Sequence, residues 1–131
     1  MHPTEEASAS SAVDLSYTFA GAVSFRGTGV SSWAVSRVAA FAYVFQGARI
    51  FDADLSAWDT SGAVDLVGAF FYATSFRGMG LARWNVARVK TLTAAFKDAD
   101  VFDTNLDSWP FSMRMSLTPI SLLGIPAVLP T

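Results

Sequence analysis

The residues of this chain that could do chemistry are few, and most of them are carboxylates. Asp52 and Asp54 stand two positions apart, a spacing compatible with a hydrolase that pairs one acid with one base. A general acid needs a pocket that raises its pKa, and a turn in solvent supplies none, so a carboxylate-based hydrolase is the less favoured hypothesis. The only histidine is His2, in a polar N-terminal stretch, and the chain has no cysteine. A catalytic triad, thiol chemistry and disulfides are therefore excluded, and we expect no enzyme.

Two acidic segments begin like calcium-binding loops. DADLS (residues 52–56) and DTNLD (residues 103–107) place oxygen ligands at alternate positions, but both lack the sixth-position glycine and the twelfth-position glutamate of such a loop. The segments GTG (27–29) and GMG (78–80) likewise complete no phosphate-binding motif. These patterns favour turns, in which Asp and Asn bond the local backbone and glycine adopts positive φ. The sequence predicts no cofactor and no metal site, with calcium bound between the repeats as a minority hypothesis.

Composition limits the classes of protein to which the chain can belong. Its 131 residues are 52% hydrophobic and 15% charged, with a net charge of −2. A chain this apolar buries enough surface to fold as one domain. The charge does not suit a nucleic-acid partner. The longest uncharged stretch, residues 115–131, contains three prolines and is too short to span a membrane as a helix. No signal peptide is recognisable in residues 1–14.

The four tryptophans recur at intervals of 25, 26 and 25 residues and mark an internal repeat. An aliphatic residue stands three positions before each tryptophan, and two phenylalanine positions recur with the same period, so the repeat covers about residues 15–112. Such regularity predicts stacked units with one column of tryptophans and two of phenylalanines in the core. The columns are Trp33, Trp58, Trp84 and Trp109; Val30, Leu55, Leu81 and Leu106; Phe19, Phe45, Phe70 and Phe96; and Phe25, Phe51, Phe76 and Phe102.

Two spacings inside the repeat predict its local structure. The segment [LV]xxWxV resembles the strand of a leucine-rich repeat. Val38, Phe41, Phe45 and Ala48 then follow at steps of 3, 4 and 3, the spacing of one buried helix face. We therefore expect an α/β repeat, a right-handed leucine-rich-repeat-like solenoid of four strand-turn-helix coils. It would occupy residues 15–112, between a flexible tail (1–14) and an apolar C-terminal tail (113–131) that is a candidate cap.

A second period of two repeats is carried by charge. Arg26, Asp52, Arg77 and Asp103 occupy one column with alternating sign. Stacking would set an arginine against an aspartate at each step, as a surface ladder in which each pair contributes at most about 1 kcal/mol. The alternation also favours one register, because a slip by one repeat would pair like charges.

The repeat resembles the BspA-like leucine-rich repeat, a mycoplasma-lipoprotein-type surface repeat of unknown function. The residues that carry the resemblance are FQGARIF (45–51), DADLSAWDTSGAVDL (52–66) and GLARWNVARVKTLTAAFKDADVF (80–102). The family's usual methionines are replaced by Phe41, Leu66 and Leu92, and its FNQ turn by FRG or FDA. The resemblance implies a surface-displayed or secreted interaction module and no catalytic residues.

The residues that flank the tryptophans form the default binding face, because leucine-rich repeats commonly bind partners on the strand side. We expect this face to bind an unknown protein or a surface glycan, and an ordinary solvated face remains the alternative. A purely structural spacer in a longer array is the main rival function. The open ends of the array are candidates for self-association. The predicted partner-binding residues are Ser32, Ala34, Ser36, Asp59, Ser61, Arg83 and Asn85.

Overall fold

The computed structural model describes residues 13–117 and shows very little regular secondary structure. Helix is limited in this part of the chain to two 3-10 turns, Val30–Ser32 and Leu81–Arg83, and one α-helix, Phe111–Ser116. Isolated parallel bridges join Asp14, Ala40, Asp65 and Thr91, one residue from each repeat, and no sheet forms between residues 13 and 117. The predicted leucine-rich-repeat-like solenoid of strand-turn-helix coils is therefore wrong. None of the helices between residues 13 and 117 has the length and hydropathy of a membrane-spanning segment.

The predicted helices are replaced by consecutive four-residue turns. In the second repeat, Val44 N–H donates to Phe41 C=O at 3.1 Å and Ala48 N–H to Phe45 C=O at 3.0 Å. The third residue of each turn has positive φ, +57° at Tyr43 and +70° at Gly47, as a type II turn requires. A residue in the left-handed region stops a right-handed helix. Two such turns still bring Phe41, Phe45 and Ala48 to the core, which reproduces helical spacing without a helix.

Hydrogen bonds between repeats hold the turns in place. The N–H groups at 41, 43, 45 and 47 donate to the carbonyls at 65, 67, 69 and 71 over distances of 2.8–2.9 Å. The N–H groups of Val44, Gln46 and Ala48 close the turns, so most amides of the segment have a partner. A helix would need the same N–H groups for its own ladder. The backbone therefore exchanges helical bonds for bonds to the next repeat, and the repeats stack.

The predicted strand is also a turn in its first half. The backbone N–H of each tryptophan donates to the carbonyl oxygen of the aliphatic residue three positions earlier, at 2.9–3.1 Å in all four repeats. Trp33 and Trp84 themselves are extended, with φ/ψ of −66°/137° and −71°/140°. The glycines at 27, 29, 78 and 80 have φ between +87° and +106°, which confirms that they serve the turn before the tryptophan.

The predicted aromatic columns are present and form the core. The Phe45 and Phe70 ring centroids lie 5.4 Å apart, and those of Phe70 and Phe96 5.6 Å apart. Trp58 and Trp84 stack at 6.1 Å with an interplanar angle of 8°. The first repeat is the exception, because Phe19, Phe25 and Trp33 are only partly buried.

The charge column forms one of its expected ion pairs within the described residues. Arg77 donates from Nε at 2.9 Å and from Nη2 at 2.7 Å to Oδ2 of Asp52, whose Oδ1 accepts the Arg77 backbone N–H at 3.0 Å. The arginine side chain is 60% exposed. Asp52 thus fastens the third repeat to the second by three hydrogen bonds.

Candidate functional site

A shallow groove lies on the surface formed by the residues that come directly after the tryptophans in the sequence. It has a volume of about 370 Å³ and is lined by residues of three successive repeats: Ser36, Ser61, Gly62, Asn85, Ala87 and Arg88. Ser36, Ser61 and Asn85 belong to the predicted binding face, and the structure brings these three together. Ser32, Ala34, Asp59 and Arg83, the other predicted residues, do not line the groove. The binding face of the sequence analysis is therefore wider than the groove, and it misses part of the lining.

Gly62 makes the groove possible. The equivalent positions one repeat earlier and later are Arg37 and Arg88, which carry long side chains where Gly62 has none. A Cβ built on Gly62 would lie 3.0 Å from the Ser36 carbonyl oxygen and 3.4 Å from that of Val38, so the backbones of two repeats approach closely here. The floor of the groove is thus formed by main chain, and Arg88 lies at one side of the groove.

Short turns hold the polar rim. Oδ1 of Asp59 accepts the Ser61 hydroxyl at 2.7 Å and the Ser61 N–H at 3.0 Å. These hydrogen bonds from Ser61, the side-chain bond first, lower the pKa of the Asp59 carboxyl below its usual value. In the next repeat, Oδ1 of Asn85 accepts the Ala87 N–H at 2.9 Å. The rim residues are therefore oriented before any partner arrives.

A buried threonine ties two walls of the groove together. Thr60 is 1% exposed and takes the place that Val35 and Val86 hold in neighbouring repeats. Its hydroxyl donates to the Asn85 carbonyl oxygen and accepts the Asn85 N–H, both at 3.1 Å. A valine could satisfy neither group. Thr60, Gly62, Ala87 and Arg88 were missed from sequence, although Thr60 and Gly62 each interrupt a column of otherwise similar residues.

The remaining predicted binding residues lie beside the groove. Ser32 and Arg83 end the two 3-10 turns, and the Ser32 hydroxyl donates to the Gly29 carbonyl oxygen at 3.0 Å. Ala34 and Arg83 are exposed. The attraction between Arg83 and Asp54 is a minor cause of the lowered pKa of that carboxyl. Ser32 and Arg83 thus lie in turns beside the groove, and their part in binding stays a prediction.

The two carboxylates considered for hydrolysis are engaged in structural contacts. Asp52 binds the Arg77 guanidinium. Oδ1 of Asp54 accepts the Ser56 N–H at 2.9 Å, and this backbone hydrogen bond is the main cause that lowers the Asp54 pKa. A general acid at neutral pH requires the opposite shift. Neither carboxylate lines the groove.

The second acidic segment is a turn of the same kind. Oδ1 of Asn105 accepts the Asp107 N–H at 2.7 Å, which is the local backbone bond expected of Asp and Asn in turns. Within residues 13–117, no three His, Cys, Asp or Glu side chains are grouped so that they could hold a metal ion.

Comparison with known proteins assigns the chain to a family of repeats. The sequence model of one family, described as Mycoplasma protein of unknown function, matches residues 6–118 and so spans all four repeats. The chain belongs to the DUF285 family. This assignment confirms the resemblance at the level of a mycoplasma repeat family, whereas the leucine-rich-repeat part of the resemblance finds no support. No curated protein matches the chain, and no solved structure does. DUF285 is uncharacterised, so membership brings no activity with it.

Proposed function

We propose that this DUF285 chain is a non-catalytic protein-interaction module whose partner binds in the groove. The observation that carries the proposal is the groove itself, a polar depression across three repeats with a main-chain floor at Gly62 and Arg88 at its side. Its rim is held by the hydrogen bonds of Asp59, Asn85 and Thr60. A preorganised rim loses little conformational entropy on binding, which favours affinity.

The lining suggests what the partner offers. The Ser36 hydroxyl, the Asn85 amide and the Arg88 guanidinium are groups that bind carbonyl and carboxylate oxygens. A groove of about 370 Å³ is at the small end of binding sites and suits one extended segment rather than a broad surface. We therefore propose an extended peptide segment of a partner protein, with a carboxylate that reaches Arg88. The resemblance implies display on a cell surface, where such a module would act in adhesion. A surface glycan is the alternative partner.

A structural spacer is the second candidate function. The unbroken phenylalanine columns and the hydrogen bonds from repeat to repeat favour it, because they supply a rigid stack whatever its surface binds. The two functions differ in one expectation. A spacer tolerates changes in the groove, whereas an interaction module loses its partner.

Peptide selection on the full chain tests the proposal. A random peptide library would be selected against the purified protein, and each enriched peptide would be measured against Arg88→Ala and Asn85→Ala. We expect each variant to weaken binding by about tenfold or more, as for a central interface residue. Arg83→Ala is the matched control, since it removes an exposed arginine of the same repeat outside the groove. No enrichment, or equal loss at Arg83 and Arg88, would overturn the proposal.

A further inference from the structure

We propose that the outer surface of the turn segments binds a neutral carbohydrate, with exposed tyrosine rings as the platform for the sugar. This surface, the tyrosine face, is separate from the groove, and the proposal does not depend on the groove. It rests on the positions that tyrosine occupies in the turns, on the backbone strain at those positions and on the open glycines beside them. The tyrosine face consists of Tyr17, Gly21, Tyr43, Gly47, Gly68 and Tyr72.

All six residues of the tyrosine face are the third residue of a turn. Their φ values lie between +57° and +72°. Each repeat has two successive turns, so the third residues form two rows along the stack. Hydrogen bonds hold both rows in register, since Tyr43 N–H donates to Val67 C=O at 2.9 Å and Gly47 N–H to Phe71 C=O at 2.8 Å. The first row is Tyr17, Tyr43, Gly68 and Ala94, and the second is Gly21, Gly47, Tyr72 and Asp98.

Tyrosine is an unfavourable residue type at the third place of such a turn. A type II turn prefers glycine there, because a side chain on a left-handed residue strains the backbone. Gly47 and Gly68 show that glycine is accepted in both rows. Burial does little to offset the strain, since Tyr17 is 60% exposed and Tyr72 is 46% exposed. Strained residues of this kind cluster at ligand-binding sites, so the strain indicates that the exposed rings have a ligand.

The phenol hydroxyls indicate a ligand that carries hydroxyl groups. All three tyrosines of the chain lie on the tyrosine face, whereas the core is filled with phenylalanine. None of the three phenol hydroxyls has a hydrogen-bond partner among residues 13–117. A phenol hydroxyl both donates and accepts, as a sugar hydroxyl does, and its ring offers an apolar surface to the C–H groups of a sugar. Tyrosine therefore matches a carbohydrate in two ways, and phenylalanine would match it in one.

Stacked tyrosines and bare glycines give the tyrosine face its shape. The rings of Tyr17 and Tyr43 stack with centroids 5.1 Å apart and an interplanar angle of 15°. In the second row, a Cβ built on Gly21 would meet no atom within 4 Å, and one built on Gly47 would meet only the Gly21 backbone, at 3.8 Å. A shelf of open backbone thus runs beside the tyrosine pair over two repeats, and Tyr72 follows it in the same row. Such a shelf accommodates a ring-sized group.

Charge and backbone hydrogen bonds favour a neutral sugar over an acidic ligand or a peptide. The six residues of the tyrosine face carry no charge, and its neighbours in the chain include three aspartates and one lysine, so an anion would be repelled. A peptide would bring backbone groups that need partners, but the N–H groups of Gly21 and Gly47 already donate to the following repeat, at 2.7 and 2.8 Å. The charged neighbours are Asp14, Asp65, Lys97 and Asp98.

A glycan microarray probed with the labelled full chain tests the proposal. The array would carry neutral hexose and N-acetylhexosamine oligosaccharides beside sialylated and sulfated ones. We expect the chain to bind neutral oligosaccharides, and the affinity for each bound sugar would then be measured by calorimetry. No binding to the array, or binding to acidic glycans alone, would overturn the proposal.

Single substitutions locate the bound sugar. We expect Tyr17→Ala and Tyr72→Ala each to weaken binding by about tenfold or more, as for a central residue of a binding surface. Phe111→Ala is the matched control, because Phe111 is an aromatic residue that is 54% exposed and lies outside the tyrosine face. A sugar whose binding is lost in Arg88→Ala but kept in both tyrosine variants occupies the groove, and that result would overturn the proposal.

Two further variants of Tyr72 separate binding from folding. Tyr72→Gly removes the ring and relieves the strain at φ +62°, so we expect lost binding with a melting temperature similar to that of wild type or higher. A marked fall in melting temperature would show that the tyrosine serves the fold and would overturn the argument from strain. Tyr72→Phe keeps the ring and should weaken binding about two- to tenfold. Selected peptides whose binding depends on Tyr72, with no sugar bound, would overturn the carbohydrate assignment.

Discussion

The tryptophan column allows the attachment of one repeat to the next to be measured. Replacing Trp84 by phenylalanine keeps a ring beside Trp58 but removes the N–H that donates to the Leu55 carbonyl oxygen at 3.0 Å. The same change at Trp33 keeps a ring against Phe19 and removes an N–H that has no acceptor among residues 13–117. The two variants therefore separate the hydrogen bond from the change in ring size.

Two contributions set the expected loss of unfolding free energy at Trp84, which is 5% exposed. A buried hydrogen bond contributes about 1 kcal/mol net. Truncation of a whole buried tryptophan costs about 3–5 kcal/mol, and phenylalanine keeps about two thirds of the side-chain atoms, so the smaller ring costs about 1–1.5 kcal/mol. We expect Trp84→Phe to lower the free energy of unfolding by about 2–2.5 kcal/mol. At the half-buried Trp33, we expect a loss below about 1 kcal/mol.

Urea unfolding followed by circular dichroism measures both values. The protein should be dilute enough to sediment as a monomer, and the dependence of the unfolding free energy on urea should be the same for wild type and both variants. A loss at Trp84 that exceeds the loss at Trp33 by more than about 1 kcal/mol supports a hydrogen-bonded column, because the difference in burial alone explains less. Equal losses at the two positions would refute the reasoning, because the indole bond would then contribute nothing.

A turn glycine, a carboxylate and the ion pair each provide a further prediction. Gly80→Ala should cost about 3 kcal/mol or more, because φ is +95° and the new Cβ would collide with the backbone of the preceding repeat. Gly29→Ala, at φ +87° in open space, should cost about 1–2 kcal/mol, and equal melting temperatures would contradict this. The folded state lowers the pKa of the Asp54 carboxyl, so this group adds stability at pH values above its usual pKa of 3.8. That stability is lost as the pH falls through the lower pKa of the folded protein. Asp54→Asn keeps an acceptor and should flatten the acid limb of the melting profile, so an unchanged limb would argue against this effect. Arg77→Ala should lower the melting temperature slightly at low salt and leave it unchanged at about 1 M salt, and a loss that persists in salt would mean that the pair with Asp52 is not the cause.

The core could be predicted from sequence because it depends on spacing alone. A period of 25 or 26 residues in tryptophan and phenylalanine specifies stacked columns whatever backbone connects them. The glycines at 27, 29, 78 and 80 were recognised as turn residues for a similar reason, since positive φ is a property of the residue type. The alternation of Arg and Asp likewise indicated one ion pair that forms, between Asp52 and Arg77.

The backbone conformation could not be predicted in the same way. Steps of 3, 4 and 3 suit a helix face, and they suit two successive turns equally well. The distinguishing feature is positive φ at Asp98 and also at Tyr17, Tyr43, Tyr72 and Ala94, the last four being residue types that seldom adopt it. Each such residue costs roughly 1–2 kcal/mol, and at the three tyrosines the backbone N–H donates to a carbonyl of the following repeat, which helps to offset that cost.

The groove is likewise a product of stacking. The sequence by itself determined the repeat, the core columns and a broad face beside the tryptophans, because these follow from periodicity and residue type. Only the tertiary structure decided that turns replace helices and that the backbones of two repeats approach closely at Gly62. The physical reason is that both depend on hydrogen bonds and close backbone approaches between residues about 25 positions apart, which no local pattern in the chain contains.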